Sequence, residues 1–181
     1  GTQGDLASQL RDRGIRTTAV DTKVGGQSHD VLREDVGPAL LRRIRRREFD
    51  FVFIATPCAS YSVAHRPQLR SRRRVAGLDG VPNKWRSYLA KHNGLAMFTA
   101  DAIEAAHGSG TAWALENPAD RGLNTSVAWW RRYADHAPLW LMEDIARVLR
   151  ATGASLRTFA QCAFQAKVQK YTTIAHSTSM D

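Results

Sequence analysis

Apolar and polar positions alternate with a period that shifts repeatedly along the chain, so the sequence predicts helices and strands in turn. Leu6 and Leu10 fall on one helical face, and Gly14 suits a left-handed cap where that helix ends. Residues 16–20 read as a short strand ending at Asp21, and 22–30 as a polar, glycine-bearing loop. A helix over 38–47 turns Leu40, Leu41 and Ile44 inward and its arginines outward. The run Phe51-Val-Phe-Ile-Ala55, bounded by Asp50 and Pro57, has the pattern of a strand buried on both faces of a parallel sheet. Residues 64–92 lack periodicity and read as a long basic loop. A helix over 93–107, a strand over 111–115, helices near 126–136 and 141–151 with Gly153 as a cap, and strands over 155–164 and 170–177 complete the series.

That order predicts an α/β fold: a doubly wound Rossmann-like sandwich, its sheet mostly parallel with an antiparallel hairpin strand at the end. One domain over 1–181 is expected, with the 64–92 loop inserted. Gly1-Thr-Gln-Gly4 is a glycine turn of the kind that follows a strand. The sequence therefore predicts a fold that lacks its first strand, which a further segment or a partner chain would supply. There is no internal repeat and no low-complexity tail.

Composition narrows the classes. With 43% hydrophobic and 24% charged residues among 181, the chain is neither collagen-like nor disordered. Two cysteines, Cys58 and Cys162, are too few for a disulfide scaffold or a structural zinc site. Together with the lack of a signal peptide or an apolar run of ~20 residues, this favours an intracellular, nuclear or cytoplasmic, protein. Lys and Arg number 26 against 17 Asp and Glu, a net charge of +9 that favours polyanionic partners, nucleic acid first among them. The charge is clustered: Arg42, Arg43, Arg45, Arg46 and Arg47 in one group, Arg66, Arg70, Arg72, Arg73 and Arg74 in another. A solvated face is the plainer account of either cluster.

In open parallel sheets ligands bind beyond the carboxyl ends of the strands. Cys58 follows a strand and a rigid proline, and residues 59–62 can open a helix whose amides would favour thiolate, so a nucleophile is the sharper reading beside a buried structural thiol. Glu116, at another strand end and stiffened by Pro118, is placed to share a proton, with a helix N-terminal charge or a salt-bridge partner as the plainer alternatives. Asp21 and Asp30 could accept ribose hydroxyls of a nucleoside-containing cofactor. A phosphate-loop motif is absent. Trp129, Trp130 and Tyr133 read as core packing, Trp85 and Tyr88 as the better base-stacking candidates, and Cys162 as a buried strand residue.

Thr56-Pro-Cys-Ala-Ser-Tyr-Ser62 followed by Leu115-Glu-Asn-Pro118 resembles the Pro-Cys and Glu-Asn pair of cytosine-5 DNA methyltransferases, nearest to the compact type of phages and mobile elements. The resemblance spans essentially the whole chain and implies an S-adenosylmethionine-dependent enzyme acting on carbon 5 of cytosine in DNA. It implies catalytic Cys58, Glu116 and Asn117, a cofactor site from Gly1, Gly4, Asp21, Asp30, Val31 and Pro57, and phosphate contacts from Arg66, Arg70, Arg72, Arg73 and Arg74. Two alternatives stand beside it: a catalytically inactive, nucleic-acid-binding module of a larger polyprotein, and an RNA cytosine methyltransferase. The family's late Gln-x-Arg-x-Arg element is here Gln161-Cys-Ala-Phe-Gln165, without either arginine, and no target-recognition domain follows residue 165.

Overall fold

The computed structural model describes residues 6–167 and 169–180; Gly1 and Gly4, predicted to bind cofactor, lie outside them. Two compact units make up the chain, Gly1–Leu40 and Leu41–Asp181.

Unit 1 is built from short elements. Helix α1 (Leu6–Asp12) ends before Gly14, whose φ of +78° is the predicted left-handed turn. The strand predicted over 16–20 does not form: the stretch is irregular, and no strand among the described residues pairs with it. Without a partner strand, five residues have no ladder to hold them extended. The loop predicted over 22–30 is instead helix α2 (Thr22–Gly25) and a 3-10 turn, Gly26–His29. Asp21 starts α2 as its cap, accepting the Lys23 N–H at 2.8 Å. Helix α3 (Val36–Arg45) starts two residues earlier than predicted.

Unit 2 holds the sheet, of order β1-β2-β4-β3, with β1 at Phe51–Ala55, β2 at Ala112–Pro118, β3 at Ser155–Ala160 and β4 at Tyr171–His176. β1 and β2 are parallel; β2–β4 and β3–β4 are antiparallel. The architecture is therefore α/β with a mixed sheet, not the mostly parallel one predicted. The terminal hairpin contributes two strands, and its second inserts beside β2, which makes two of the three pairings antiparallel.

Helix α4 (Asn83–Ser109) is the crossover that a parallel β1–β2 pair requires. At 27 residues it runs about 40 Å and begins ten residues before the predicted 93. The extra turns are held by a small core: Leu89 packs with Leu69 and Val81, flanked by Trp85 and Tyr88. Gly110, at φ +72°, closes the helix by donating to the carbonyls of Ala106 and His107. The buried face of α4 is lined by Ala96, Ala100, Ile103 and Ala106, small enough for a close approach to β2, whose Trp113 and Leu115 are fully buried. Helix α5 (Glu143–Ala151) lies against α4 through Ile145, Val148 and Leu149, with Glu143 and Asp144 at its positive end and Arg150 at its negative end.

β1 is an edge strand rather than one covered on both faces: Phe51 and Phe53 are 44% and 41% exposed. The helix predicted over 126–136 is replaced by turns and one 3-10 turn, Arg131–Tyr133. Ser126 Oγ accepts the Ala128 N–H at 3.1 Å, the local capture by which serine competes with helix. β3 stops at Ala160, and Cys162 sits exposed on the following 3-10 turn, Gln161–Phe164, not buried in a strand.

Candidate functional site

β1 and β2 present their carboxyl ends side by side in unit 2, with Ala55 in register with Glu116. Beyond β1 come Thr56, Pro57 and Cys58. Thr56 is tethered to α4 through a 2.6 Å hydroxyl contact with Thr99, which in turn donates to the Leu95 carbonyl. Asn117, fully buried, donates from Nδ2 to the Thr56 carbonyl at 2.8 Å and so ties the two strand ends together. Its Oδ1 has no partner, and a buried acceptor in that condition costs about 1–3 kcal/mol.

Cys58 is half-buried and opens a single 3-10 turn, Ala59–Tyr61, rather than the helix that residues 59–62 suggest. The Cys58 carbonyl accepts the Tyr61 N–H at 2.8 Å. Tyr61 anchors the turn from inside: its hydroxyl donates to the His92 carbonyl on α4, and burial pushes its pKa up to about 12. Beside it lie the rings of Tyr88 and His92, 4.4 Å apart, and those of His65 and Trp85. Burial holds His92 below the usual histidine range, and the nearby Arg70 charge adds to this. Burial pushes the Tyr88 hydroxyl up, and the Arg70 charge opposes the rise.

Glu116 is paired, as the plainer alternative had it: Lys170 Nζ lies 3.2 Å from Oε1. Fifty-four positions separate the two in sequence, and β4 pairing beside β2 brings them together.

The arginines of the basic loop divide. Arg70 is 2% exposed and is no phosphate-gripping side chain: it donates to Ser60 Oγ, the Val75 carbonyl and Asn93 Oδ1, and its guanidinium stacks 4.1 Å from the Tyr61 ring centre. Its acceptors are neutral, and burial lowers its pKa. Arg72 is likewise internal in function, donating to both oxygens of Asp120 at 2.7 and 2.9 Å. Arg74 pairs with Asp79 on the surface, Arg66 donates to the Val63 and His65 carbonyls, and Arg73 is exposed.

No family model, curated protein or solved structure matches this chain. The site must therefore be read from its own chemistry. Among the described residues no cluster of histidine, cysteine and carboxylate could hold a metal, and no helix is long and apolar enough to cross a membrane.

In unit 1, Asp21 and Asp30 each accept a local amide N–H on Oδ1, from Lys23 at 2.8 Å and from Leu32 at 3.1 Å. Val31, half-buried, follows directly. The backbone here is close-set: a Cβ on Gly25 would fall 2.2 Å from the His29 ring.

Sequence reasoning missed a second feature of unit 2, the segment 119–138 between β2 and α5. Asp120, Asp135 and His136 fix it. Asp120 accepts from Arg72 and from the Gly122 N–H, and Asp135 accepts from the Arg72 N–H and Gln68. His136 Nδ1 accepts the Arg121 N–H at 3.1 Å, so Nε2 carries the hydrogen and donates to the Tyr61 carbonyl at 2.7 Å. Trp129 and Trp130, read as core from the sequence, are 44% and 49% exposed. The only advance signal was Trp-Trp-Arg-Arg itself, rings and charges in one short stretch.

Proposed function

We propose that the chain is a cytosine-5 DNA methyltransferase of the compact type, with Cys58 as nucleophile and S-adenosylmethionine as methyl donor, on a Rossmann-like, doubly wound plan. The observation that supports the reading is the pairing of the two strands: Ala55, the last residue of β1, is in register with Glu116 of β2, and Asn117 is tied to the Thr56 carbonyl, so Cys58 follows a strand end that lies beside Glu116.

Cys58 thiolate adds to carbon 6 of an extruded cytosine, forming a carbon–sulfur bond and pushing electrons toward carbon 5 and the ring nitrogens. Glu116, in its protonated form, donates a hydrogen bond to ring nitrogen 3 and passes its proton there as negative charge develops, taking it back when the adduct breaks down. Asn117 keeps the turn that carries Cys58 against β2. S-adenosylmethionine, when bound, supplies the methyl group that carbon 5 accepts. The carbon 5 proton then leaves to solvent and the carbon–sulfur bond breaks, restoring the thiolate on Cys58. Asp21 and Asp30 suit the cofactor's hydroxyl and amino groups, and Val31 offers adjacent apolar surface.

The test is covalent trapping. DNA carrying 5-fluorocytosine, incubated with the chain and S-adenosylmethionine, should give a denaturation-resistant adduct that Cys58→Ala abolishes without loss of cofactor binding. No adduct from the intact, cofactor-loaded protein overturns the proposal.

One observation favours a second reading, a methyltransferase-like nucleic-acid-binding module without catalysis. Lys170 occupies a carboxylate oxygen of Glu116 that would otherwise be available to the base. Calorimetry with S-adenosylmethionine separates the two, since the enzyme requires saturable binding.

A further inference from the structure

We propose that the segment 119–138, with the cavity it shares with residues 60–70, is the surface of unit 2 that grips an unpaired DNA strand: phosphate at Arg66, Arg131 and Arg132, bases on Trp129 and Trp130. The proposal rests on the reading of the chain as a DNA-modifying enzyme and adds where the strand is held.

Three observations carry it. The first is composition in place. From residue 121 to 134 the chain holds three arginines, two tryptophans and no acid. Arg131 and Arg132 are exposed and make no ion pair among the described residues. Of the acids at the segment's ends, Asp120 is neutralised by the Arg72 guanidinium, while Asp135 accepts from the Arg72 N–H and Gln68 and is the one carboxylate lining the cavity, set against the three exposed arginines Arg66, Arg131 and Arg132.

The second is ring geometry. Trp130 is half-exposed yet already held, edge-on to Tyr133 at 5.3 Å and beneath the Arg121 guanidinium at 5.6 Å. Arg121 also sits over Tyr133 and Tyr171, at 5.0 and 5.4 Å. A ring fixed before binding loses little freedom when a base stacks on it. Trp129, next in sequence and 44% exposed, has no ring partner among the described residues. A base paired in a duplex cannot offer its face to such a ring, whereas an unpaired one can.

The third is the cavity. About 280 Å³ in volume, it is bounded by His65, Arg66 and Arg70 on one side and Arg132, Tyr133 and His136 on the other. Its floor is the Tyr61 turn, three residues from Cys58, to which His136 is bonded directly. A strand gripped here is therefore fixed relative to the nucleophile.

The test uses the whole chain and a fluorescent single strand of about 12 nucleotides, read by anisotropy between roughly 50 and 200 mM salt. Trp129→Ala with Trp130→Ala should weaken binding at least about tenfold, and Trp129→Phe with Trp130→Phe should restore most of it. Arg131→Ala with Arg132→Ala should flatten the logarithmic salt slope by about 1.4, two phosphate contacts at ~0.7 each. Binding by these variants that equals the parent, a duplex held as tightly as the single strand, or a matched RNA held more tightly would each overturn the proposal. Fluorocytosine adduct formation separates the two readings. Adducts with tryptophan-independent binding refute the strand grip alone, and tryptophan-dependent binding without adducts refutes the catalytic reading alone.

Discussion

Replacing Arg70 by methionine distinguishes a phosphate contact from an internal strut. Were Arg70 a phosphate contact, the substitution would weaken nucleic-acid binding and leave stability alone. Its burial argues the reverse. The change strips Ser60 Oγ, the Val75 carbonyl and Asn93 Oδ1 of a charged donor, at about 1–3 kcal/mol for each acceptor left unmatched in the interior. It also removes the stacked contact with Tyr61, worth about 2 kcal/mol when desolvated. Against this stands relief from burying a guanidinium without a counter-ion, several kcal/mol by itself, and the apolar packing that methionine restores. The balance is a loss of about 3 kcal/mol. In urea unfolding followed by circular dichroism, with a slope of about 2 kcal/mol per molar, the midpoint should fall by about 1.5 M. Arg70→Lys should recover less than half, because the donors of an ammonium sit on one compact nitrogen and cannot span the separated acceptors that the planar guanidinium reaches from three nitrogens. A methionine variant within about 0.5 kcal/mol of the parent that had lost oligonucleotide binding would refute the assignment.

Other perturbations follow from the same contacts. His136 is held below the usual histidine range, chiefly by burial, so near its ordinary pKa of ~6.5 the unfolded chain binds a proton that the folded one does not. Stability is then complete above about pH 6.5 and falls as pH drops below it, by up to about 1.4 kcal/mol per unit. His92 adds in the same direction. Urea midpoints at several pH values should show this slope, His136→Gln should reduce it, and a flat profile would refute it. Gly122→Ala should cost more than about 2 kcal/mol, because its Cβ would meet the Tyr133 and Ala134 carbonyls at 2.8 and 2.9 Å. Gly108→Ala, exposed near the end of α4 with open space around it, should instead stabilise by about 0.5–1 kcal/mol; thermal melts test both. Asp120→Ala should destabilise by about 2–3 kcal/mol and raise protease cleavage within 119–138, since Arg72 and the Gly122 N–H lose their shared acceptor.

What the sequence revealed was local in origin. The apolar runs that became β1 and β2 and the stripe that became α5 each had their period written in consecutive residues. Gly14 and Gly153 punctuated helices as expected, at φ +78° and +62°. What it concealed depended on distant partners. A run of arginines looks uniform until Arg70 is seen among the acceptors of α4 and the 75 turn, and Arg72 opposite Asp120, 48 positions away. Glu116 as a salt-bridge partner was one of three readings, beside a proton-sharing carboxyl and a helix N-terminal charge, and Lys170 on the approach to β4 could not be named in advance. The helix expected over 126–136 had acceptable propensity, but Asp120, Asp135 and His136 bind that stretch to other loops, and tertiary anchoring outweighed a preference worth only tenths of a kcal/mol per residue. The sheet went wrong for a related reason: strand identity is local, whereas β4 entering between β2 and β3 is a matter of topology.

The cross-bracing also explains how one unit can hold the turn that carries Cys58 without a helix behind it. The Cys58 turn has a single 3-10 turn, too short for amide dipoles to accumulate, so its rigidity has to come from elsewhere. Three neighbours supply it: α4, through the Tyr61 hydroxyl on the His92 carbonyl; the basic loop, through Arg70 on Ser60 and over Tyr61; and segment 119–138, through His136 Nε2 on the Tyr61 carbonyl. Each bond reaches Ser60 or Tyr61, within three residues of the thiol. The residues that look like excess charge in the sequence therefore divide by depth: the buried Arg70 braces the turn that carries Cys58, while Arg131 and Arg132, on the segment that His136 joins to Tyr61, are exposed, as the proposed strand grip requires.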